Sequence, residues 1–480
     1  MDLVGSLLTK SVEALAAASM ATPFDAVVVG GGSAGISAAR RLVEGGKRVA
    51  MLEAGPLALL SHIQSTDLRF DREVVRSMQR GLQYSPKAAD GSDFGSLISC
   101  LGGRGLFWNG AAPRFAEEDF HGWPIDYAAL DPHYAWAERE YRVTSRYGDG
   151  PLAQSICRLM RRGGIDTVPG PYAVDDHPTR DGWLAGTVGN AIAPLLRSGL
   201  LTASAGLLSL ACRAFARRVL LDGTRAAGLE VVDLDTGVVH MLHARSVVLA
   251  AGGFESARLA MVSALPDPHG LMGRSISDHL FCRAYFPMPP ETYDPANPEI
   301  AILWSPARDG RHYQIEVHLP NDNMFLARDG MRWAPDRSPD YSAMVRSFGP
   351  VEPRPENHIV PTDGDKPGCF TVHMSLDDHD EALRQQMVDA ISRVGVAIGG
   401  DAAPVQTMPL GASHHEAGGL AMGTDAGTSV VDRFGRFWAT KGLVVADAAA
   451  WPAVSPANPH LTIVALARRA GEQLLTDLEE

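Results

Sequence analysis

The chain contains no C-x-x-C pair. Its five cysteines, Cys100, Cys157, Cys212, Cys282 and Cys369, are far apart and odd in number. That spacing argues against a disulfide framework, a zinc site and a dithiol redox centre, so no metal is expected. A reducing, cytoplasmic setting follows as the default. No apolar run is long enough to span a bilayer. Internal repeats and low-complexity tracts are also lacking. Positive charge is in deficit, with a formal net charge of −13, which argues against nucleic acid and anionic membranes as partners. The first residues end in small side chains, as a cleavage site does. However, Asp2 stands where a signal peptide carries positive charge, and Lys10, Ser11 and Glu13 break the apolar run. Residues 1–21 therefore read as a short helical extension.

What is present is ordinary for a large globular chain: 480 residues, 45% hydrophobic and 21% charged, enough for two modules. FDAVVVG (24–30) is a short apolar run, the mark of a buried parallel strand. GGSAG follows, then ISAARRLVEGG at helical spacing and KRVAMLEAG as a second strand. This is a βαβ unit. Strand–glycine–helix character returns in ARSVVLAAGGFESARLAMVS (244–263), and a strand and closing helix lie near 442–475. The first module is thus expected to be discontinuous. RRVLLDGTRAAGLEVVDLDTG reads as a β-hairpin. Between 270 and 405, HYQIEVHL and CFTVHMSL alternate, which predicts an antiparallel sheet open on one face, followed by a helix from DDHDEALRQQ onward. LGGRGLFWNGAAPRF (101–115) carries too many glycines for a helix interior and reads as a loop pressed against a ligand.

Gly30, Gly32 and Gly35 form G-x-G-x-x-G between a strand and a helix. Gly30 makes the tight turn, Gly32 lets the backbone approach a pyrophosphate, and Gly35 permits close packing of helix on strand. Glu53 ends the second strand, near the offset of about 20 residues at which a carboxylate binds a ribose hydroxyl. The pattern predicts dinucleotide binding but does not choose between FAD and NAD.

Further along, SHHEAGGLAMG (413–423) places His415 before two glycines, and ANPHLT (457–462) follows. VVADAAAWP, VVLAAGGFESARL and GRSISDHL (273–280) complete an ordered set of motifs. Together they resemble the glucose–methanol–choline oxidoreductases over nearly the whole chain. The resemblance implies an α/β architecture. A discontinuous Rossmann-like FAD-binding domain (residues 22–120, 200–270 and 406–480) would be joined to a substrate domain on an antiparallel sheet (121–199 and 271–405). It implies oxidation of a CH–OH group of a small alcohol, with oxygen or another electron acceptor as partner. His415 matches the family's catalytic base and Asn458 the second catalytic position. The flavin contacts carried over are Gly30, Gly32, Ser33, Gly35, Glu53, Gly102, Gly103, Asn109, Val219, Ala251, Asp447, Asn458, Pro459 and Thr462.

The residue types suit that chemistry. An alcohol is a weak acid, so its proton needs a base tuned near neutral pH, which imidazole provides. Asn458 can hydrogen-bond the same oxygen without competing for the proton. The glycine-rich loop is most similar to that of pyranose oxidases, where a histidine linked to the flavin precedes the tryptophan. Here Phe107 precedes Trp108, so noncovalent FAD is expected. His121 lies well past the matching position.

His414 rivals His415. Neighbours in an extended segment face opposite ways, and the spacing to Gly418 and Gly419 selects His415. His460 is a further pocket candidate, Trp108 and Trp451 read as core, and Glu416 is either a hydrogen-bonded acid or a partner for a cationic substrate. A lyase of the same fold and a flavin carrier remain as alternatives. A sugar, aminosugar or natural-product alcohol is the expected substrate, with oxidase and dehydrogenase both open.

Overall fold

The computed structural model describes residues 8–480, apart from 64–65, 67, 69–70, 90–91, 95–96, 176–186, 200–205, 289–299, 309, 320–341 and 401–402. Residues 1–7 of the N-terminal extension therefore lie outside the described residues. The remainder of the extension carries helix α1 (Val12–Ala21), whose N-cap Ser11 Oγ accepts from the Ala14 amide. Val12, Leu15 and Ala16 are buried, and Ser19 Oγ accepts from the His243 amide. The helix is thereby tied to the body of the protein.

The first sheet is parallel and five-stranded. In chain order its members are β1 (Ala26–Val29), β2 (Val49–Leu52), β3 (Leu208–Ala211), β7 (Val247–Leu249) and β12 (Leu443–Val445). In space the order is β3-β2-β1-β7-β12. Every residue of these strands is buried, as expected for a sheet covered on both faces. Helix α2 (Ser33–Glu44) follows β1 and buries Ile36, Ala39, Leu42 and Val43 along one face before stopping at Gly45. The closing helix α6 (His460–Glu479) packs on α2 and on α3 (Tyr127–Tyr141). Helix α4 (Gly253–Val262) follows β7, repeating the strand–glycine–helix turn. The predicted hairpin is β4 (Ala214–Asp222) with β5 (Arg225–Asp233), extended by β6 (Val239–His243).

The second sheet is antiparallel at its centre, with β8 (His279–Pro287), β11 (Ser342–Pro350), β10 (Gln314–Leu319) and β9 (Ala301–Ser305) side by side. The expectation that it is open on one face is corrected here. Every residue of β10 is buried, and all of β11 except Pro350. Helix α5 (Asp378–Ala397) packs on β8 and β11. The other face carries Phe281, Arg283, Tyr285, Arg346 and Phe348, which line a cavity shared with the first sheet. Alternation along HYQIEVHL thus marks a buried polar row behind the cavity wall rather than a solvent face.

All five cysteines are free. Among the described residues no helix is long and apolar enough to cross a membrane, and no cluster of His, Cys, Asp or Glu could hold a metal ion.

Candidate active site

A cavity of about 1050 Å³ runs from the glycine turn after β1 to the inner face of the second sheet. At one end are Gly30, Gly32, Ser33 and Glu53, at the other His415, Asn458 and Phe348, and Gly103, Asn109, Ala251, Asp447 and Pro459 also line it. Most of the expected residues therefore line one cavity.

The glycine turn suits a dinucleotide. Gly30 sits at φ +104, a left-handed conformation that a side chain resists. A Cβ at Gly32 would meet nothing within 4 Å, whereas one at Gly35 would lie 1.9 Å from the Gly30 oxygen. Gly32 thus leaves room for a ligand, while Gly35 serves the packing of α2 and does not line the cavity. Ser33 Oγ is buried with no hydrogen bond in the structure, at the first residue of α2, where backbone N–H groups favour a phosphate. Space, an unused hydroxyl and a helix start fit the pyrophosphate of FAD.

The two acids do more than face the cavity. Glu53 accepts from the Gly31 amide (2.8 Å), the Gly55 amide (2.7 Å) and Ser99 Oγ (3.1 Å). Asp447 accepts from the Gly252 amide (2.8 Å), Ser256 Oγ (2.6 Å) and the Ala449 amide (2.9 Å). Each carboxylate holds together the loops that shape the cavity, and burial pushes the pKa of both upward.

Besides Gly35, three more expected flavin contacts lie outside the cavity lining. Val219 is buried within β4, where its amide donates to Ser263 Oγ at 2.8 Å. The same strand reaches the cavity through Ala214, Phe215 and Ala216 instead. Gly102 donates its amide to the Gly31 oxygen and locks the glycine-rich loop to the turn from behind. Thr462 shares a buried 2.7 Å hydrogen bond with Tyr134, which ties α6 to α3.

His415 is held in three ways. Its amide donates to Ser413 Oγ, which in turn donates to Asp278, and Asp278 also accepts from the Gly411 amide. Arg104 grips Glu416 with both terminal nitrogens and reaches the His414 oxygen. That bidentate pair occupies the Glu416 carboxylate, closing its alternative as a partner for a cationic substrate. Gly418, at φ +85, would bring a Cβ to 2.5 Å from the Ser275 oxygen, so the H-x-x-G-G segment packs directly on the backbone just before Asp278.

The ring of His415 meets His279, with their Nδ1 atoms 2.6 Å apart. On its far side His279 Nε2 faces the Ser455 carbonyl, which can only accept. His279 Nε2 therefore carries a proton. Burial pushes the His279 pKa down to about 4, so the ring is neutral and its Nδ1 is an acceptor. The hydrogen between the rings must belong to His415 Nδ1, which leaves His415 Nε2 with a free lone pair. Burial, reinforced by His279, His414, Arg104 and Arg346, holds the His415 pKa well below its ordinary value. The resting form is the neutral base.

His414 departs from expectation. At φ +63 it is left-handed, so the segment is not extended, and both histidines line the cavity. His460 lines it too, stacked on Trp108 with ring centroids 3.7 Å apart. Trp108 is therefore a wall residue, whereas Trp451 is core, packed on Phe115 and Trp123. His279 and Arg104 stood in recognisable motifs, GRSISDHL and GGRGLFWN, but no role was legible for either.

A doubly wound sheet, a glycine turn and a cavity ending at a neutral histidine define a dinucleotide-dependent oxidoreductase. Comparison with known proteins narrows the class. Models described as GMC oxidoreductase match residues 197–281 and 353–467. The chain is 26% identical to a C-glycoside 3-oxidase of Microbacterium trichothecenolyticum, over 95% of this chain and 97% of that protein. It is 24% identical to a 2-methyl-1,2-propanediol dehydrogenase of Mycolicibacterium austroafricanum, over 94% and 95%. Its fold is similar to that of pyridoxine 4-oxidase from Mesorbium loti, with a TM-score of 0.69 and 18% identity over 94% of this chain and 99% of that one. The chain belongs to the GMC oxidoreductase family and is an FAD-dependent enzyme that oxidises a CH–OH group of a small molecule.

Proposed function

We propose that this enzyme oxidises a secondary or primary hydroxyl of a sugar, glycoside or related polyol, with His415 Nε2 as the base. The observation that carries the reading is the His279–His415 pair, which leaves one unprotonated nitrogen at the cavity wall close in sequence and space to the motif's glycines. Asn458 lines the same cavity and supplies a hydrogen bond to the substrate oxygen. The hydroxyl proton passes to His415 Nε2. Bound FAD supplies the hydride acceptor. Gly30, Gly32, Ser33, Glu53, Gly103, Asn109, Ala251, Asp447 and Pro459 hold the cofactor, and the wall from Phe281 to Tyr285 meets the alcohol.

Support for the substrate class comes from the two named relatives, which act on a C-glycoside and on a diol. The cofactor half comprises residues 22–120, 200–270 and 406–480, and the substrate half 121–199 and 271–405. Phe107 lines the cavity at the position where the similar pyranose oxidase loop carries its flavin-linked histidine, which supports noncovalent FAD. The free cysteines fit a cytoplasmic setting, which cell fractionation tests.

The test is a panel of sugars, C-glycosides and vicinal diols against the yellow holoenzyme, following flavin bleaching without oxygen. His415→Ala should keep its FAD, release it on acid precipitation, and lose about 10²–10⁴-fold in flavin reduction. His414→Ala should stay near the parent rate. Loss of activity in His414→Ala with retention in His415→Ala would assign the base to the other histidine.

A further inference from the structure

We propose that Gln314 is a positioning residue that turns the Asn458 amide so that its nitrogen, not its oxygen, faces the alcohol. The inference rests on the role given to Asn458 above.

Gln314 opens β10, is fully buried, and stands behind the cavity wall. Its oxygen lies 2.6 Å from Trp304 Nε1. An indole nitrogen can only donate, so that end of the amide is an acceptor. Gln314 Nε2 lies 3.0 Å from Glu316 Oε1. Burial alone would raise the Glu316 carboxyl, but Arg346 and His318 together bring it down to about 2. Glu316 is ionised and can only accept. The two ends of Gln314 are therefore assigned by partners that work in one direction each.

That assignment propagates. The second N–H of Gln314 points at Asn458, 2.6 Å away, and requires an acceptor there. Asn458 meets that need only through Oδ1, so Nδ2 is the end left for the cavity. Sheet register makes the chain rigid. Gln314 pairs with Phe348, Glu316 with Arg346, and Trp304 with Glu316 on the other side. Arg346 Nε donates to Glu316 at 2.5 Å and its Nη2 to Tyr172 OH at 3.3 Å.

The chemical consequence concerns the proton. A donor aimed at the substrate oxygen stabilises negative charge as the hydroxyl ionises. An acceptor in the same place would compete with His415 for that proton and repel the developing charge. Gln314 thus makes His415 the sole acceptor.

The experiment is a double-mutant cycle on the holoenzyme, read as the anaerobic flavin-reduction rate with the panel alcohol that reduces the parent fastest. Gln314→Met keeps the length of the side chain and removes its polarity. It should retain FAD, lower the limiting reduction rate about fivefold to tenfold, and leave the apparent Kd of the alcohol nearly unchanged. In an Asn458→Ala background the same substitution should have no further effect. Independent, multiplicative losses would overturn the proposal while leaving the role of Asn458 intact. An Asn458→Ala protein at the parent rate would remove the premise instead. Should Gln314→Met fail to bind FAD, Trp304→Phe loosens Gln314 more gently. Its smaller loss must likewise vanish when Asn458 is alanine.

Discussion

The rings of His279 and His415 meet at an interplanar angle of 89°, with Phe348 tilted against both. Edge-on contact of this kind aims one ring nitrogen at another and fixes the tautomer of the outer ring. Removing His279 should therefore leave a base that is present but spends part of its time protonated on the wrong nitrogen. His279→Ala should bind FAD and reduce it a few-fold to about tenfold more slowly, well short of the His415→Ala loss. Stopped-flow reduction of the two variants side by side checks this. Equal losses would mean that His279 does more than orient its neighbour.

The pH profile follows from the depressed pKa of His415. The reactive form is the neutral ring, and burial with His279, His414, Arg104 and Arg346 nearby moves its protonation well below 6.5. The rate of flavin reduction should be flat through neutral pH and fall only on the acid side, below the ordinary imidazole range. A limb near pH 7 would place the proton acceptor elsewhere.

Two glycines of the turn should respond differently to alanine. A Cβ at Gly32 meets open space, and its φ of −79 suits alanine, so Gly32→Ala should fold normally and lose affinity for FAD. Gly35→Ala collides with the Gly30 carbonyl and should lower the yield and thermal midpoint of the apoprotein. Circular dichroism melts and flavin titration separate the two effects.

Glu53→Ala should cost stability as well as FAD. Its carboxylate satisfies the Gly31 and Gly55 amides and Ser99, and a buried donor left unsatisfied costs about 1–3 kcal/mol. Denaturant unfolding of the apoprotein tests this, and an unchanged midpoint with weakened FAD binding would confine Glu53 to the cofactor.

The cofactor end was largely legible in the sequence because its signals are local. A strand, three glycines, a helix and an acid follow one another within residues 24–53, and each has a direct physical reason. The H-x-x-G-G and Asn-Pro segments were legible by resemblance. Gln314, Glu316 and Arg346 were not, because their meaning depends on the pairing of three strands. A slip of one residue would turn Gln314 to the opposite face. HYQIEVHL offered a hint in polar residues at every second position, but alternation alone does not say whether the polar face meets solvent or a buried site. Val219 shows the converse. The strand reaches the flavin cavity, yet a register shift between Ala216 and Arg218 leaves Val219 buried against Ser263.

One of the two edge strands of the parallel sheet, β12, has a consequence for synthesis. On the ribosome, β1 and β2 emerge early, but β7 gains its second neighbour only when Leu443–Val445 appears. The helix that packs on α2 begins later still, at His460. Through most of translation the Val-rich core strands lack a finished sheet to join. Pairing across such sequence distance is slow and leaves strand edges exposed to aggregation. Nascent chains should therefore depend on chaperones until β12 and α6 have been made, and FAD should be captured only once both are in place.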